Sequence, residues 1–173
     1  MNNIEIRPAT VNDANEILNI YGYYVLNTAV SFEYSVPSID EFKERIRKTL
    51  EKYPYYVAIK NNKIVGYAYA GAFVGREAYR FSAELTIYID RNYQKQGIGK
   101  MLYQKLENEL RNNGITNLYA CIGTPVKDED EYLTFNSVEF HKHLGFKQVG
   151  KFHKCGYKFN RWYNMVWMEK LIT

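Results

Sequence analysis

The sequence predicts an α/β domain on a mixed sheet, neither all-parallel nor all-antiparallel. Three observations carry this. Runs of two-residue period alternate with runs of helical period along the chain. Two β-rich runs are joined by Asn61-Asn62, the signature of an antiparallel hairpin. A strand, helix, strand series between Phe81 and Ile122 makes a βαβ unit, which needs a parallel pair. With no repeat, low-complexity tract or linker-like stretch in 173 residues, one domain spanning residues 1–173 is expected.

Ile4-Glu5-Ile6-Arg7 reads as the first strand, and Thr10-x-x-Asp13 as a helix start, with Ala14, Ile17, Leu18, Tyr21 and Val25 at helical spacing. Ser38-x-x-Glu41 repeats the capping-box pattern ahead of Phe42, Ile46 and Leu50, so a second helix runs to about Lys52, with Asn27 to Pro37 as the loop between. Tyr55 to Lys60 and Lys63 to Phe73 form the hairpin. In the next strand, Phe81 to Ile89, alternation sets Glu84, Thr86 and Tyr88 on one face and Leu85, Ile87 and Ile89 on the other. Ile98, Met101, Leu102, Leu106 and Leu110 stripe a helix that Gly114 ends, and Leu118 to Ile122 is a short strand. A polar acidic loop, Thr124 to Leu133, leads to a short helix from about Asn136 to His143 closed by Gly145. Two late strands follow, around Phe146 to Lys154 and Trp162 to Leu171.

Composition narrows the function classes. The longest apolar runs, such as Ile64 to Phe73, are too short to cross a bilayer, and MNNIEIRPAT lacks the order of a secretory signal, so a soluble, cytoplasmic protein without membrane attachment is expected. Two cysteines, Cys121 and Cys155, have no metal-ligand spacing and read as buried or idle thiols, and no metal is expected. The net charge of +4 could attract an anionic cofactor but does not demand nucleic acid, and the 17 tyrosines come with no Lys/Arg stripe or RNA-binding motif.

The stretch RNYQKQGIGKML, Arg91 to Leu102, joins a strand to a helix through a Gly-rich turn, the usual setting for an anion. It is not a P-loop, because Lys100 is followed by Met101, and not a dinucleotide fingerprint, because the third glycine position holds Leu102. Q-x-x-G-x-G from Gln94 to Gly99 remains, in which backbone N–H groups and the helix N-terminus can wrap a pyrophosphate while Lys95 and Lys100 add charge at the rim. A plain turn with two solvated lysines is the competing reading.

The strand ELTIYI, the loop YQKQGIG and the helix KMLYQKL resemble the acetyl-CoA-binding core of GNAT-type N-acetyltransferases. YPYYVAIKNNKIVGYAYAG, YAGAFVGREAYRFSAELTIYI, FHKHLGFKQVG and CGYKFNRWYNMVWMEK resemble, in order, the phosphinothricin acetyltransferase-like branch. The resemblance implies an α/β fold with a mostly antiparallel central sheet flanked by helices and a splayed parallel strand pair at the cofactor site. It implies acetyl-CoA as cosubstrate. Ile87, Tyr88 and Ile89 would pair with the pantetheine, and Gln94, Lys95, Gln96, Gly97, Ile98, Gly99 and Lys100 would hold the pyrophosphate. Asn136 and Ser137 would complete the cofactor side.

Acetyl transfer to an amine needs a neutral amine, a stabilised oxyanion and a proton for the departing thiolate. Glu84 lies on the polar face of its strand and matches the branch's catalytic glutamate; a structural ion pair with Arg76 or Arg80 is the alternative. The resemblance implies a backbone N–H near Tyr88 for the oxyanion. His141 stands where many superfamily members carry an acidic tyrosine, so it is the candidate acid, or else a packed or capping histidine. By resemblance, Arg76 and Tyr79 would hold the acidic part of an amino-acid-like acceptor, and Phe32 would wall its pocket. Arg suits a carboxylate or phosphinate because it binds two oxygens at once.

Three departures limit the match. Trp162-Tyr163-Asn164 replaces the branch's Trp-His-Asp, which puts Tyr163 where a substrate-side histidine often stands. The usual cofactor-side asparagine falls on Thr134, leaving Asn136 as a shifted substitute, and the loop Thr124 to Phe135 is longer and more acidic. The expectation is direct transfer to a small amino-acid-like amine, of phosphinothricin or methionine sulfoximine type, by an enzyme whose late aromatic strands suit a homodimer. A protein N-terminus, a polyamine, a drug amine or a non-catalytic acyl-CoA-binding module are the alternatives.

Overall fold

The computed structural model describes residues 3–173. Its elements are β1 (Glu5–Pro8), α1 (Ala14–Asn27), α2 (Ile39–Leu50), β2 (Tyr55–Lys60), β3 (Lys63–Ala72), β4 (Ser82–Ile89), α3 (Ile98–Asn112), β5 (Asn117–Pro125), α4 (Asn136–His143), β6 (Lys147–Lys158) and β7 (Arg161–Leu171). The strands form one sheet in the order β1-β2-β3-β4-β5-β7-β6, antiparallel everywhere except at β4–β5.

That one parallel junction shapes the molecule. β4 runs beside β3 from Ala83 to Ile89, and β5 runs beside β7 from Asn117 to Pro125, but β4 and β5 pair only over Ser82–Glu84 and Asn117–Tyr119. Beyond Glu84 the two half-sheets part, leaving Leu85 to Ile89 paired with a strand on one edge only. Each half follows its antiparallel partner, and the weaker parallel ladder gives way.

Helices cover both faces, as the alternation along each strand requires. On one face α3 and α4 bury Ile98, Leu102, Leu106, Leu110 and Val138 against Ala68, Ala83, Leu85 and Ala120. On the other, α1 and α2 bury Ile17, Val25, Phe42 and Ile46 against Tyr55, Val57 and Tyr67. Small residues beneath α3 and tyrosines beneath α1 and α2 let the same strands serve two helical layers at different depths.

Local signals act mostly as the sequence predicts. Asn61 and Asn62 take φ of 52° and 60° in the hairpin, and the Ser38 hydroxyl accepts from the Glu41 backbone N–H at 3.2 Å. Gly114 and Gly145 close α3 and α4 at φ of 82° and 90°, a conformation that costs other residues about 1 kcal/mol or more. The first helix starts later than the Thr10 motif suggests. The Asp13 carboxylate, held by both Arg7 guanidinium nitrogens at 2.8 Å, accepts from the Thr10 backbone N–H at 2.7 Å, and a single tight turn precedes α1. The second helix stops at Leu50, short of Lys52, and β5 and β6 run longer than expected, because continuous pairing with β7 extends them.

One buried cation organises the loop between α1 and α2. The Lys158 ammonium, 5% exposed, donates to the carbonyls of Val25, Thr28 and Ser31 at 2.7, 2.8 and 2.7 Å. It caps the end of α1 and ties the loop to the β6–β7 hairpin. Nearby, the Tyr34 hydroxyl donates to the Tyr157 carbonyl, and the Ala29 N–H donates to Tyr132 O at 3.0 Å. Lys158→Met leaves three carbonyls without their donor, so the expected loss is about 2–4 kcal/mol of unfolding free energy, read as a lower urea midpoint at unchanged slope.

Candidate active site

Where β4 and β5 diverge, a cavity of about 700 Å³ passes through the sheet. Tyr21, Phe42 and Ile46 line it on the α1/α2 side, Tyr103, Ser137 and His141 on the α3/α4 side, and Glu84, Thr86 and Tyr88 between. Six of the tyrosines noted in the composition face it: Tyr21, Tyr55, Tyr67, Tyr69, Tyr88 and Tyr103. Tyr88 meets Tyr21 edge-on at 5.1 Å and stacks near Tyr67 at 5.6 Å, which gives the wall a rigid aromatic surface. Two molecules can therefore enter from opposite faces of the sheet and meet along β4.

Glu84 stands at the fork. Neither Arg76 nor Arg80 pairs with it, and burial alone lifts its carboxyl above the ordinary 4.5. An unpaired carboxylate of raised proton affinity, facing a cavity, has the character of a general base.

His141 lies across the cavity, 4% exposed, and burial lowers it to about 4. Its Nδ1 lies 2.7 Å from the Ser137 carbonyl, which can only accept, so Nδ1 carries the proton of the neutral ring. Nε2 is then an acceptor for the Tyr103 hydroxyl at 2.9 Å. The expectation that His141 donates near neutral pH loses its premise, because desolvation keeps the ring neutral and both nitrogens are engaged. Tyr103 is the residue that sequence reading missed: it occupies a core position of the α3 stripe, and only the fold turns its hydroxyl to the cavity.

The Gly-rich turn builds a cradle at the start of α3. Lys95 and Gly97 take positive φ of 58° and 79°, and the first intrahelical bond is Met101 N–H to Gly97 O, so the N–H groups of Ile98, Gly99 and Lys100 precede the helical ladder. Gly99 lies so close to α4 that a Cβ there would stand 2.8 Å from the Phe140 ring. The exposed glutamines bond to side chains of neighbouring elements. Gln94 Nε2 donates to the Tyr24 hydroxyl at 3.0 Å, which in turn donates to the Ile89 carbonyl, and Gln96 Oε1 accepts from Lys60 Nζ at 2.6 Å. These side chains brace the loop while its backbone stays clear, and Lys95 and Lys100 are exposed at the rim. The arrangement fits a pyrophosphate, with the free β4 edge at Ile87, Tyr88 and Ile89 leading from it toward Glu84. Ser137 lines the cavity, whereas Asn136 is exposed at the start of α4 and does not.

The expected acceptor residues divide. Phe32 lines the cavity and lies across two glycines, where a Cβ at Gly156 or Gly123 would meet its ring at 2.5 and 3.2 Å. Tyr163 does not line it: it is 1% exposed, and its hydroxyl donates to Asp130 at 3.0 Å. Asp130 also receives the N–H groups of Tyr132 and Leu133, and Glu131 pairs with Arg161, so the acidic loop is folded onto the β6–β7 hairpin by its own charges. Arg76 and Tyr79 lie outside the cavity, exposed on the β3–β4 connection. The Tyr79 ring meets Phe73, which stacks at 3.9 Å on Tyr119, the register partner of Glu84. The cavity-lining arginine is instead Arg45 of α2. Cys121 and Cys155 are exposed to the cavity rather than buried, and crowding by its walls pushes the Cys121 thiol up to about 12, which leaves it unreactive.

A splayed parallel pair, a Gly-rich helix start with free N–H groups and an unpaired carboxylate at the fork suit the binding of an acyl-CoA. The family profile for the acetyltransferase (GNAT) domain matches residues 6–167. The chain is 29% identical over 167 residues to phosphinothricin N-acetyltransferase of Streptomyces viridochromogenes, covering 96% of this chain and 87% of that one. It is 28% identical over 165 residues to the L-methionine sulfoximine/L-methionine sulfone acetyltransferase of Salmonella typhimurium, covering 95% and 92%. A phosphinothricin acetyltransferase of Sinorhizobium meliloti, solved in complex with acetyl-CoA, superposes with a TM-score of 0.88 at 32% identity, covering 97% and 88%. The chain belongs to the GNAT acetyltransferase family and is an acetyl-CoA-dependent N-acetyltransferase.

The buried imidazole makes acid stability a direct readout of its environment. Unfolded His141 takes a proton near 6.5 and folded His141 near 4, so the unfolded chain binds more protons in that window and stability falls as pH drops through it. At about 1.4 kcal/mol per pH unit, this one residue contributes about 3 kcal/mol of the loss. Urea titrations at pH 7 and pH 4 are expected to show a smaller decrease for His141→Gln than for the parent.

Proposed function

We propose that this enzyme acetylates the primary amine of a small amino-acid-like acceptor by direct transfer in a ternary complex, with Glu84 as the base. The observation that carries the proposal is the position of Glu84 at the fork of β4 and β5, unpaired and shifted upward, in a cavity open to both faces of the sheet. The acceptor class follows from the relatives that act on phosphinothricin and on methionine sulfoximine or sulfone.

Acetyl-CoA supplies the acetyl group activated as a thioester. Gln94 to Lys100 bind its pyrophosphate, Ile87 to Ile89 align its arm along β4, and a backbone N–H near Tyr88 stabilises the developing oxyanion. Glu84 receives the first proton from the acceptor ammonium, which frees the nitrogen lone pair. The second proton, shed by nitrogen as the C–N bond forms, balances the departing thiolate. In this reading His141 acts as a positioning residue: it holds the Tyr103 hydroxyl through Nε2, leaving the hydroxyl's lone pairs to the cavity. Phe32 and the tyrosines exclude water and shape the acceptor end.

The test is release of free thiol from acetyl-CoA across phosphinothricin, methionine sulfoximine, methionine sulfone, the common amino acids, polyamines and short peptides. Turnover with an amino-acid analogue is expected. Turnover with polyamines or peptides alone would replace the acceptor assignment. Glu84→Gln is expected to lower kcat by about 10²–10⁴ with little change in acetyl-CoA affinity by calorimetry. Folded Glu84 holds its proton more tightly than unfolded Glu84, so its ionised form opposes folding above the ordinary 4.5. The same variant is therefore expected to be more stable than the parent at pH 7–8, with the gain vanishing below pH 4.5.

A further inference from the structure

The six tyrosines that line the cavity fall into two groups. Three have partners in the protein: the Tyr21 hydroxyl shares a hydrogen bond with Ser31 Oγ at 2.9 Å, Tyr69 bonds to Thr86, and Tyr103 bonds to His141 Nε2 at 2.9 Å. Tyr55, Tyr67 and Tyr88 have no hydrogen bond from their hydroxyls among the described residues. Tyr55 is 4% exposed and Tyr67 only 1%. Yet among the described residues the one side-chain polar atom sealed from solvent without a partner is Asn117 Oδ1. The hydroxyls of Tyr55 and Tyr67 therefore open into the cavity while their rings lie in the core. A buried polar group without a partner is costly, so these hydroxyls are poised to meet a polar ligand group.

Ring packing limits what that group can be. Tyr55 lies nearly parallel to Tyr67 at 5.9 Å and to Tyr69 at 4.7 Å, and Tyr67 stacks near Tyr88 at 5.6 Å. Their faces are spent on one another, so the cavity meets edges and hydroxyls rather than the open faces that hold a cation. Burial raises all three unpartnered hydroxyls well above the ordinary 10, so they stay neutral. Arg45 and Glu33, which also line the cavity, neutralise each other at 2.5 Å. A charged group would lose its water here without gaining an unpaired opposite charge, whereas an uncharged group with donors and acceptors would keep its hydrogen bonds.

The hydroxyls also stand far from the base. Gly71 pairs with Glu84, Tyr69 with Thr86 and Tyr67 with Tyr88, so Tyr67 lies four residues along β4 from the fork, about 13 Å at the rise of an extended strand. Phe42, Ile46 and Thr49 of α2 line the cavity over this side of the sheet. We infer that the chamber under α2 receives the far end of a long acceptor: an unbranched amino-acid side chain that ends in an uncharged hydrogen-bonding group of urea or amide type. The inference rests on the amino-acid acceptor proposed above. The acidic part of the acceptor stays at the fork, toward the connection between β3 and β4, which joins β4 at the opposite end. A side chain as short as that of methionine sulfone stops short of the chamber.

The experiment measures kcat/KM, with acetyl-CoA saturating, for L-citrulline, for L-2-aminooctanoic acid, whose apolar side chain has a similar length, and for L-methionine sulfone, in the parent, Tyr55→Phe and Tyr67→Phe. The parent is expected to prefer citrulline to 2-aminooctanoic acid at least about 100-fold. Each variant is expected to cut that preference about 10-fold, through KM for citrulline, and to leave methionine sulfone within about 3-fold of the parent. Because the deleted hydroxyls have no partner in the protein, the urea midpoint is expected to hold or rise. An unchanged preference in both variants, or an equal loss for methionine sulfone, would overturn the chamber's role, and a lowered midpoint with the preference intact would make the hydroxyls structural. A parent that acetylates methionine sulfone but neither long compound would overturn the inference and leave the amino-acid reading intact. A parent that acetylates amines but no α-amino acid would overturn both.

Discussion

The site depends on a ladder three residues long. β4 and β5 pair from Ser82 to Glu84 against Asn117 to Tyr119 and then part, because each belongs to a longer antiparallel partnership. Had the parallel ladder continued to Ile89, the sheet would be closed and its faces sealed from each other. The divergence opens a passage through the sheet, leaves one edge of β4 unpaired, and stands Glu84 at the apex. A backbone edge without partners is a hazard in most proteins and here is where the proposed alignment of the acetyl-CoA arm lies.

The layers above and below keep the fork open and give its two ends different character. On the α3/α4 side the positive-φ turn opens the helix, Gly99 approaches Phe140 closely, and Tyr24 and Lys60 brace the turn's glutamines. On the α1/α2 side the wall is aromatic, and the loop that completes it is drawn down by Lys158. Ala29, Val30 and Val36 pack that loop into the core, and the hydrogen bonds from this buried ammonium fix its backbone between them.

The two ionisable groups at the fork are pushed toward their neutral forms by the same cause. Desolvation raises Glu84 and lowers His141, so the fork itself disfavours charge. For Glu84 this means a carboxylate that holds a proton more tightly than usual, as the proposed base needs. For His141 it means a fixed tautomer, a structural partner for Tyr103 rather than a proton source near neutrality.

Much of this was legible in the sequence, where the information is local. Strand alternation placed Glu84 and Tyr88 on one face, the caps and glycines marked helix ends, and Q-x-x-G-x-G marked a tight turn opening α3, since each rests on the period or backbone freedom of neighbouring residues. What depends on distant parts of the chain was decided only by the tertiary structure. Only the fold brings Tyr103 to the cavity wall, places Arg45 among the lining side chains, and sets Tyr163 in the core with its hydroxyl on Asp130. Periodicity fixes which face a side chain occupies within its own element, whereas the neighbours of that face, and hence its solvation and its role, are set by the packing of elements many residues apart.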